Sequence, residues 1–191
     1  VCHDLFYMED RQYFSPKKRV LWRGIRFLTR HRYRFAHAVI AVSQSTATQL
    51  HKFIPGIDPH KIHVVHNGVD LGNPDDIASA PLPSDLEAER YILYVGNNRS
   101  HKNLEILISA FSKARDRIDG LKLVMAGRIE EKYEDPRAYF HKYGLADTEA
   151  VHLGAVSNEL LKTLYDNSAF VVIPSLYEGF GLPAIEAGRS G

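Results

Sequence analysis

The sequence predicts an α/β fold with parallel sheets, because short apolar runs of strand length alternate with helical segments over most of its 191 residues. Hydrophobic residues make up 45% of the chain and the net charge is +1, as in globular proteins with a sizeable core. The single cysteine, Cys2, excludes internal disulfides and fits a reducing, cytoplasmic compartment. No apolar run reaches the roughly 18 residues that a membrane-spanning helix needs. Composition therefore favours a globular α/β protein.

The first 90 residues are predicted to contain a strand, a helix, a second strand and a linker. Residues 38–42 read as a buried strand, and Ser43 or Ser45 is placed to cap the helix that follows. A second strand is expected over residues 62–66. Residues 72–90 contain three prolines and little periodicity, so they are predicted to link two domains.

From residue 91 onward, strands and helices alternate regularly. The predicted strands cover residues 91–96, 121–126, 150–153 and 169–173, and the predicted helices cover residues 103–118, 136–143 and 159–165, the last capped by Asn158. The core face of the first helix is expected to consist of Ile106, Leu107, Ala110, Phe111 and Ala114. Ligands of such sheets bind at the carboxyl ends of the strands. We therefore look for a site in the loops after the first and last of these strands.

Residues 11–34 form a basic segment with nine Lys/Arg and no Asp or Glu. Arginines recur there at helical spacing, and Leu21, Ile25 and Leu28 form an apolar stripe. One interpretation is a basic amphipathic helix in peripheral contact with the inner face of an anionic membrane. The other is a solvated basic face whose apolar stripe packs on its own domain. No nucleic-acid recognition motif accompanies the segment, so nucleic acid is not an expected partner.

The stretch from Pro174 to Glu186 carries the most informative motif of the chain. Glu178 and Glu186 stand eight positions apart, with a Gly-Phe-Gly turn between them and Pro183 in the first turn of a predicted helix. Backbone amides gathered at a helix N-terminus bind phosphate oxygens, and carboxylates accept hydrogen bonds from hydroxyls. The motif therefore predicts a ligand that carries both phosphate and hydroxyl groups.

The loop over residues 96–103 adds two cations at the end of the strand before it. Arg99 can grip a phosphate with two parallel hydrogen bonds, and Lys102 adds a point charge. Two bases in a polar loop are often merely solvated. Combined with Glu178 and Glu186 on a later strand of the same sheet, they predict a diphosphate clamp opposite a pair of hydroxyl acceptors.

Together these motifs resemble the retaining glycosyltransferases of family 4, whose GT-B fold consists of two facing Rossmann-like domains. The resemblance rests on His3-Asp4-Leu5, Ala41-Val42-Ser43, Val65-His66-Asn67-Gly68-Val69-Asp70, Tyr94-Val95-Gly96 with Arg99 and Lys102, and Pro174-Ser175 through Glu186. It implies two incomplete domains: residues 1–71 would end the N-terminal, acceptor-side domain, 72–90 would be the linker, and 91–191 would begin the nucleotide-sugar-binding domain. We therefore expect a fragment that does not turn over by itself.

The resemblance also implies a role for the phosphate-binding residues. Arg99 and Lys102 would neutralise the diphosphate of a sugar nucleotide and stabilise it as the leaving group, in place of a metal ion. No metal site and no cofactor beyond the donor substrate are expected. The backbone around the glycine turn would contact the distal phosphate and the sugar, through Gly179, Phe180, Gly181 and Leu182.

The remaining implied roles concern the sugar, the ribose and the acceptor. Glu178 would hold hydroxyls of the donor sugar, and Glu186 would accept hydrogen bonds from the ribose hydroxyls. His3 would reach toward the donor sugar and the acceptor. Retention would follow from a same-face reaction or from a double displacement, and these two routes stay open.

Residues 95–103 most resemble mannosyltransferases of surface-polysaccharide assembly, which favours GDP-mannose as the donor and a glycan or lipid-linked acceptor. Two alternatives of another class are a GT-B sugar-nucleotide epimerase and a non-catalytic module that binds nucleotide sugars. An epimerase would need additional acid and base side chains that the sequence does not place. A non-catalytic module would tolerate substitution of Glu178.

Overall fold

Helices and strands alternate along the chain in a computed structural model, which describes residues 1–8, 20–68, 78–88 and 90–190. The helices are α1 Trp22–Phe35, α2 Gln44–Phe53, α3 Leu104–Ala114, α4 Pro136–Lys142, α5 Asn158–Asp166 and α6 Leu182–Ser190, and the strands are β1 Val39–Ala41, β2 Ile62–Val64, β3 Tyr91–Val95, β4 Lys122–Ala126, β5 Ala150–His152 and β6 Phe170–Val171. All strand pairs among the described residues are parallel. The predicted α/β fold with parallel sheets is confirmed.

The chain divides into two units, and each is described by itself. The first comprises Val1–Gly68 and Tyr177–Gly181, and the second comprises Val69–Leu176 and Leu182–Gly191. The first unit includes the glycine turn near the end of the chain. The predicted domain limits, 1–71 and 91–191, stay predictions. No described helix is long and apolar enough to cross a membrane.

The first unit is built on a β1–α2–β2 arrangement in which Val39 pairs with Ile62. Ser43 caps α2 as predicted, because its Oγ accepts a hydrogen bond from the Thr46 amide over 3.1 Å. Cys2 continues the sheet on the other side of β1 and forms a bridge with Ala41. The core contains Cys2, Leu5, Met8, Val39, Ala41, Ala47, Leu50, Phe53, Ile54 and Ile57.

The second unit has a four-stranded sheet in the order β5-β4-β3-β6. Alternate residues of β3 point to opposite faces: Ile92 and Tyr94 pack with α3 and α4, whereas Tyr91 and Leu93 pack with α5. Both faces are covered by helices, so this sheet has the buried character expected of parallel strands.

Several local predictions need correction. Ser157, rather than Asn158, caps α5, since its Oγ accepts a hydrogen bond from the Leu160 amide. The predicted helix 103–118 ends at Ala114 and is followed by a 3-10 turn over Arg115–Arg117. Its core face is Leu104, Leu107, Ile108 and Phe111, while Ile106 is 60% exposed. Both sets of residues fit a helical period, and packing against β3 and β4 selected the set with larger apolar side chains.

The predicted linker 72–90 is described only at residues 78–88 and 90. Leu86 is buried in the same core cluster as Tyr91 and Leu93, and the carbonyl of Asp85 accepts a hydrogen bond from Lys122 Nζ. The described part, residues 78–88 and 90, lacks regular secondary structure, as its prolines predicted, and it belongs to the second unit.

Candidate functional site

The strand order of the second unit places a topological switch point at the carboxyl ends of β3 and β6. From β3 the chain moves outward to β4 and then β5, and β6 is then added on the other side of β3. Ligands of open α/β sheets bind at such a point. The loops that follow β3 and β6 are the two that were selected from the sequence.

Backbone atoms meet closely where β3 and β4 end. A Cβ on Gly127 would overlap the carbonyl oxygen of Gly96, and the Gly127 backbone has a φ of +145°. The Gly127 amide donates to the Gly154 carbonyl over 2.7 Å, which links the ends of β4 and β5. Glycine is required at position 127 because any side chain would push the two loops apart.

Arg99 lies in the loop after β3 and forms an ion pair within the second unit. Its Nε is 2.5 Å from Glu130 Oε1, and Lys132 Nζ is 3.1 Å from the other oxygen of the same carboxylate. Burial opposes ionisation of Glu130, but the hydrogen bonds from Arg99 and Lys132 outweigh it and lower the pKa of Glu130. The pair holds the Arg99 guanidinium at the carboxyl end of β3.

Asn98 fixes the loop that carries this carboxylate. Its side chain is 6% exposed, its Oδ1 accepts a hydrogen bond from the Glu130 amide over 2.7 Å, and its Nδ2 donates to the Glu134 carbonyl over 3.0 Å. A buried amide with both ends bonded to the backbone rigidifies the segment around it. Asn98 therefore sets the positions of Glu130 and, through it, Arg99.

Hydrogen bonds join the loop after β3 to the loop after β6. Lys102 ends a 3-10 turn, and Asn103 follows it with a left-handed φ of 56°. The Asn103 side chain donates to the Pro174 carbonyl over 3.2 Å, and the Leu176 amide donates to the His101 carbonyl over 2.8 Å. The structure thus brings the basic loop together with the segment that leads to Glu178.

Glu186 lies in the first half of α6, which begins at Leu182 with Pro183 in its first turn, as predicted. The Tyr165 hydroxyl, at the end of α5, donates to Glu186 Oε2 over 2.7 Å. Tyr165 is 7% exposed, and burial together with the Glu186 carboxylate raises its pKa. The hydroxyl therefore stays protonated and orients one carboxylate oxygen of Glu186. No hydrogen bond to the other oxygen is found among the described residues.

In the first unit, the glycine turn packs on the backbone of His3. A Cβ on Gly179 would overlap the His3 carbonyl oxygen. The Gly179 carbonyl accepts a hydrogen bond from Ser43 Oγ over 2.6 Å, and Thr46 Oγ1 lies 3.3 Å from it. His3 itself is exposed, and Glu178 is half-buried. Ser43 thus caps α2 and also holds the turn.

Two family profiles together cover nearly all of this sequence. The family described as glycosyl transferases group 1 matches residues 82–191, and the family described as Glycosyltransferase Family 4 matches residues 1–73. The chain belongs to the glycosyl transferases of group 1. The predicted resemblance is confirmed.

Curated relatives of this group 1 glycosyltransferase act on different substrates. It is 31% identical over 159 residues to the D-inositol 3-phosphate glycosyltransferase of Segniliparus rotundus, covering 80% of this chain and 35% of the relative. It is 30% identical over 154 residues to the GDP-mannose:cellobiosyl-diphosphopolyprenol alpha-mannosyltransferase of Xanthomonas oryzae pv. oryzae, covering 80% of this chain and 38% of the relative. The chain thus spans little more than a third of the length of either.

Solved structures show the same architecture. WaaG, a glycosyltransferase involved in lipopolysaccharide biosynthesis, superposes with a TM-score of 0.72 at 15% identity, covering 98% of this chain and 52% of WaaG. HepE of Anabaena, solved with UDP and glucose, superposes with a TM-score of 0.69 at 20% identity, covering 98% of this chain and 49% of HepE. The group 1 glycosyltransferase therefore has the predicted GT-B type of fold.

Several side chains that were not predicted from the sequence hold the predicted site residues in position. Glu130 and Tyr165 hold Arg99 and Glu186 from positions far away in the chain, and no local pattern marks them. Asn98 is next to Arg99, but its role depends on its contacts with the distant residues Glu130 and Glu134. Ser43 was identified only as a helix cap. Among the described residues, no three His, Cys, Asp or Glu side chains are grouped as a metal site requires; the roles assigned to the predicted site residues stay predictions.

Proposed function

We propose that this group 1 glycosyltransferase moves a hexose, with mannose favoured, from a nucleotide-diphosphate sugar to a glycan or lipid-linked acceptor with retention of configuration and without a metal ion. The observation that carries the proposal is the topological switch point of the second unit. There, the loop with Arg99 and Lys102 is hydrogen-bonded to the segment after β6. Open α/β sheets bind nucleotides at this place.

Arg99 and Lys102 would bind the diphosphate and stabilise the charge that develops as it leaves. During transfer, the bond from the anomeric carbon to the distal phosphate oxygen breaks, and its electron pair stays on that oxygen. In the same-face route, the acceptor hydroxyl oxygen bonds to the anomeric carbon and its proton passes to the departing phosphate oxygen. Preorganised cations at the departing phosphate lower the barrier because they are oriented before charge develops. Glu130 and Asn98 supply this orientation for Arg99.

Glu186 would accept hydrogen bonds from the ribose hydroxyls through the oxygen that Tyr165 leaves available. We assign the hydroxyls of the donor sugar to Glu178, and the distal phosphate and sugar to the backbone from Gly179 to Leu182. His3 is assigned to the reacting face, near donor sugar and acceptor. The close packing of Gly179 on the His3 backbone supports assigning His3 and the glycine turn to the same site.

The proposed sugar donor rests on the names of two relatives. The Xanthomonas relative is named for GDP-mannose and a diphosphopolyprenol acceptor, which supports a mannosyl donor and a lipid-linked acceptor in surface-polysaccharide assembly. The Segniliparus relative is named for D-inositol 3-phosphate, so the acceptor class is decided by experiment.

The test is calorimetric titration of the chain with GDP, UDP and ADP in the presence of EDTA. We expect one nucleotide to bind. Arg99→Ala and Glu186→Ala should each weaken the affinity for that nucleotide roughly tenfold or more, since each removes a charge-assisted hydrogen bond. Arg117→Ala, an exposed arginine in the Arg115–Arg117 turn, is the matched control and should bind as the parent. Failure of a folded chain to bind any of the three, or unchanged binding by both site variants, would contradict the proposed donor site.

Transfer is tested with the longest natural protein that contains this sequence, because the 191-residue chain is not expected to turn over by itself. The substrates are GDP-mannose and isolated polyprenyl-linked or oligosaccharide acceptors. NMR of the anomeric proton in the product should show the configuration of the donor. A product with an inverted anomeric centre would contradict retention. A free, epimerised sugar would indicate the epimerase instead, and nucleotide binding that is insensitive to Glu178→Gln together with no product would indicate a non-catalytic module.

A further inference from the structure

His152 lies at the carboxyl end of β5 in the second unit, and its side chain is buried. It is 9% exposed and pairs with Met125 of β4. Alternate residues of a strand share a face, so its ring lies on the same side of the sheet as Ala150, which packs in the core with α3 and α4. None of the roles assigned above uses this imidazole.

The imidazole of His152 accepts a hydrogen bond from the backbone. The Gly154 amide nitrogen is 3.1 Å from Nδ1 of the ring. A backbone amide can only donate, so Nδ1 carries no proton, and the ring proton of the neutral form is on Nε2. Protonation of Nδ1 would set two donors against each other and break this bond. The structure therefore requires the neutral ring.

The surroundings of the ring favour the same neutral form. Burial lowers the pKa of His152, the Arg137 charge lowers it further, and Asp135 opposes them with a smaller effect. Among the described residues, these two at the start of α4 are the charged groups that act on the ring, and the β4 and α3 side chains in this core are apolar. The stabilisation from the neutral ring is complete above about pH 6.5, the usual pKa of histidine. It is lost as the pH falls through the folded-state pKa.

Backbone contacts connect Gly154 to the loops that follow β3 and β4. The Gly154 carbonyl accepts a hydrogen bond from the Gly127 amide over 2.7 Å, and Gly127 packs directly on the carbonyl oxygen of Gly96. Gly96 begins the loop that carries Arg99, and Gly127 begins the segment that carries Glu130. Close-packed atoms transmit a displacement instead of absorbing it. A shift of Gly154 would therefore reach both members of the ion pair.

We propose that His152 is a positioning residue: its neutral imidazole holds the ends of β3, β4 and β5 together, and protonation of the ring releases them. Only the consequence for ligand binding rests on the proposed function. In the released state, Arg99 would lose its fixed orientation and bind the diphosphate more weakly, because part of the binding energy would be spent on ordering the loop. The site thereby gains a dependence on pH that the ionisation of the nucleotide does not explain.

The first test measures hydrogen exchange of the Gly154 and Gly127 amides by NMR, in the 191-residue chain without nucleotide. Protection, corrected for the intrinsic exchange rate, should fall about fivefold in the parent as the pH is lowered from about 7.5 through the folded-state pKa of His152, because one hydrogen bond is lost. His152→Asn should keep its protection throughout, since its side-chain oxygen can accept from Gly154 and does not titrate. His152→Leu should show low protection at every pH.

The second test is calorimetric titration of the same variants with the nucleotide that the parent binds. The affinity ratio of His152→Asn to the parent cancels the ionisation of the nucleotide and of every other group. This ratio should be about one at neutral pH and rise to about fivefold in acid, whereas His152→Leu should bind about fivefold more weakly than the parent at neutral pH. His141→Asn, which replaces an exposed histidine of α4, is the matched control and should follow the parent in both tests.

Circular dichroism verifies that each variant is folded. An equal response to pH in the parent and His152→Asn would overturn the proposal, because another group would then be titrating. Full protection in His152→Leu would show that the ring does not hold the strand ends, and unchanged affinity in that variant, despite lost protection, would refute its role in positioning the site. Expected protection changes in a parent that binds no nucleotide would support the hold of His152 on the strand ends and contradict the proposed donor site alone.

Discussion

Replacing Tyr165 with phenylalanine removes a buried hydroxyl that orients the carboxylate of Glu186. The hydroxyl donates to Glu186 Oε2 over 2.7 Å, and the ring that carries it is 7% exposed. The substitution leaves the ring in the core and changes only this hydrogen bond. It therefore tests whether the fixed position of Glu186 matters to the proposed ribose contact.

Two magnitudes follow from the structure. A hydrogen bond to a charged group contributes about 1.5–3 kcal/mol, and Glu186 is half-buried, so we expect a loss of about 1.5 kcal/mol in the free energy of unfolding. In the variant, Glu186 must be ordered by the nucleotide when it binds. Immobilising such a side chain costs roughly 0.5–1.5 kcal/mol, which weakens nucleotide affinity about two- to thirteenfold.

Tyr91→Phe is the matched control, because the Tyr91 hydroxyl is also buried and bonds to the same helix without contacting Glu186. It donates to the Leu164 carbonyl over 2.8 Å, near the C-terminal end of α5, where carbonyls lack helical partners. Its removal should cost about 1–2 kcal/mol of stability and leave nucleotide affinity unchanged.

The assay combines urea unfolding with calorimetric titration of the nucleotide that binds most tightly to the parent. Tyr165→Phe and Tyr91→Phe should lose comparable stability, and only Tyr165→Phe should lose affinity. If Tyr165→Phe binds nucleotide like the parent, Glu186 is not held for the ligand by this tyrosine. If Tyr91→Phe loses as much affinity, the effect is a general loosening of the unit.

Three further substitutions test other parts of the structure. The pKa of Glu130 is lowered in the folded protein. Its ion pair therefore stabilises the fold fully above about pH 4.3, the usual pKa of glutamate. This stabilisation is lost as the pH falls through the folded-state pKa. Glu130→Gln should therefore be less stable than the parent at neutral pH and converge with it in acid, as measured by denaturation at stepped pH; a constant difference would contradict the ion pair. Gly127→Ala should lower the hydrogen-exchange protection of β4 by about 4 kcal/mol, because of backbone strain and overlap with the neighbouring loop. Gly154→Ala is the control: Gly154 also has a positive φ but has open space around it, so this variant should lose only about 1–2 kcal/mol. Ser43→Ala should lose about 2 kcal/mol by tryptophan fluorescence, one from the helix cap and one from the hydrogen bond to Gly179; a loss no larger than that of an ordinary cap would show that the second bond contributes nothing.

The local elements could be predicted because their causes lie within a few residues. The cap at Ser43, the turn that precedes α6 and the apolar runs of β3 and β4 depend on short-range periodicity and on backbone preferences. Prediction was incomplete where two sets of helix residues fitted the helical period about equally well. For α3, Leu107 and Phe111 were predicted correctly, but only contact with the sheet could select Leu104 and Ile108 rather than Ile106 as their neighbours in the core.

The residues of the candidate site were predicted in the same way, since Arg99, Lys102 and Glu186 belong to short motifs that join glycine, charge and a strand end. Their supporting partners were not. Glu130 is 31 residues from Arg99, and Tyr165 is 21 residues from Glu186. Nothing in the local pattern relates residues so far apart.

By itself, therefore, the sequence determined the alternation of strands and helices, the chemistry of the two loops and the family to which the chain belongs. The tertiary structure decided that β6 pairs with β3 rather than with β5 and that the basic loop is tied to the segment before Glu178. The physical reason is that local periodicity fixes how each segment folds, whereas strand order and side-chain pairing depend on the packing of elements distant in the chain.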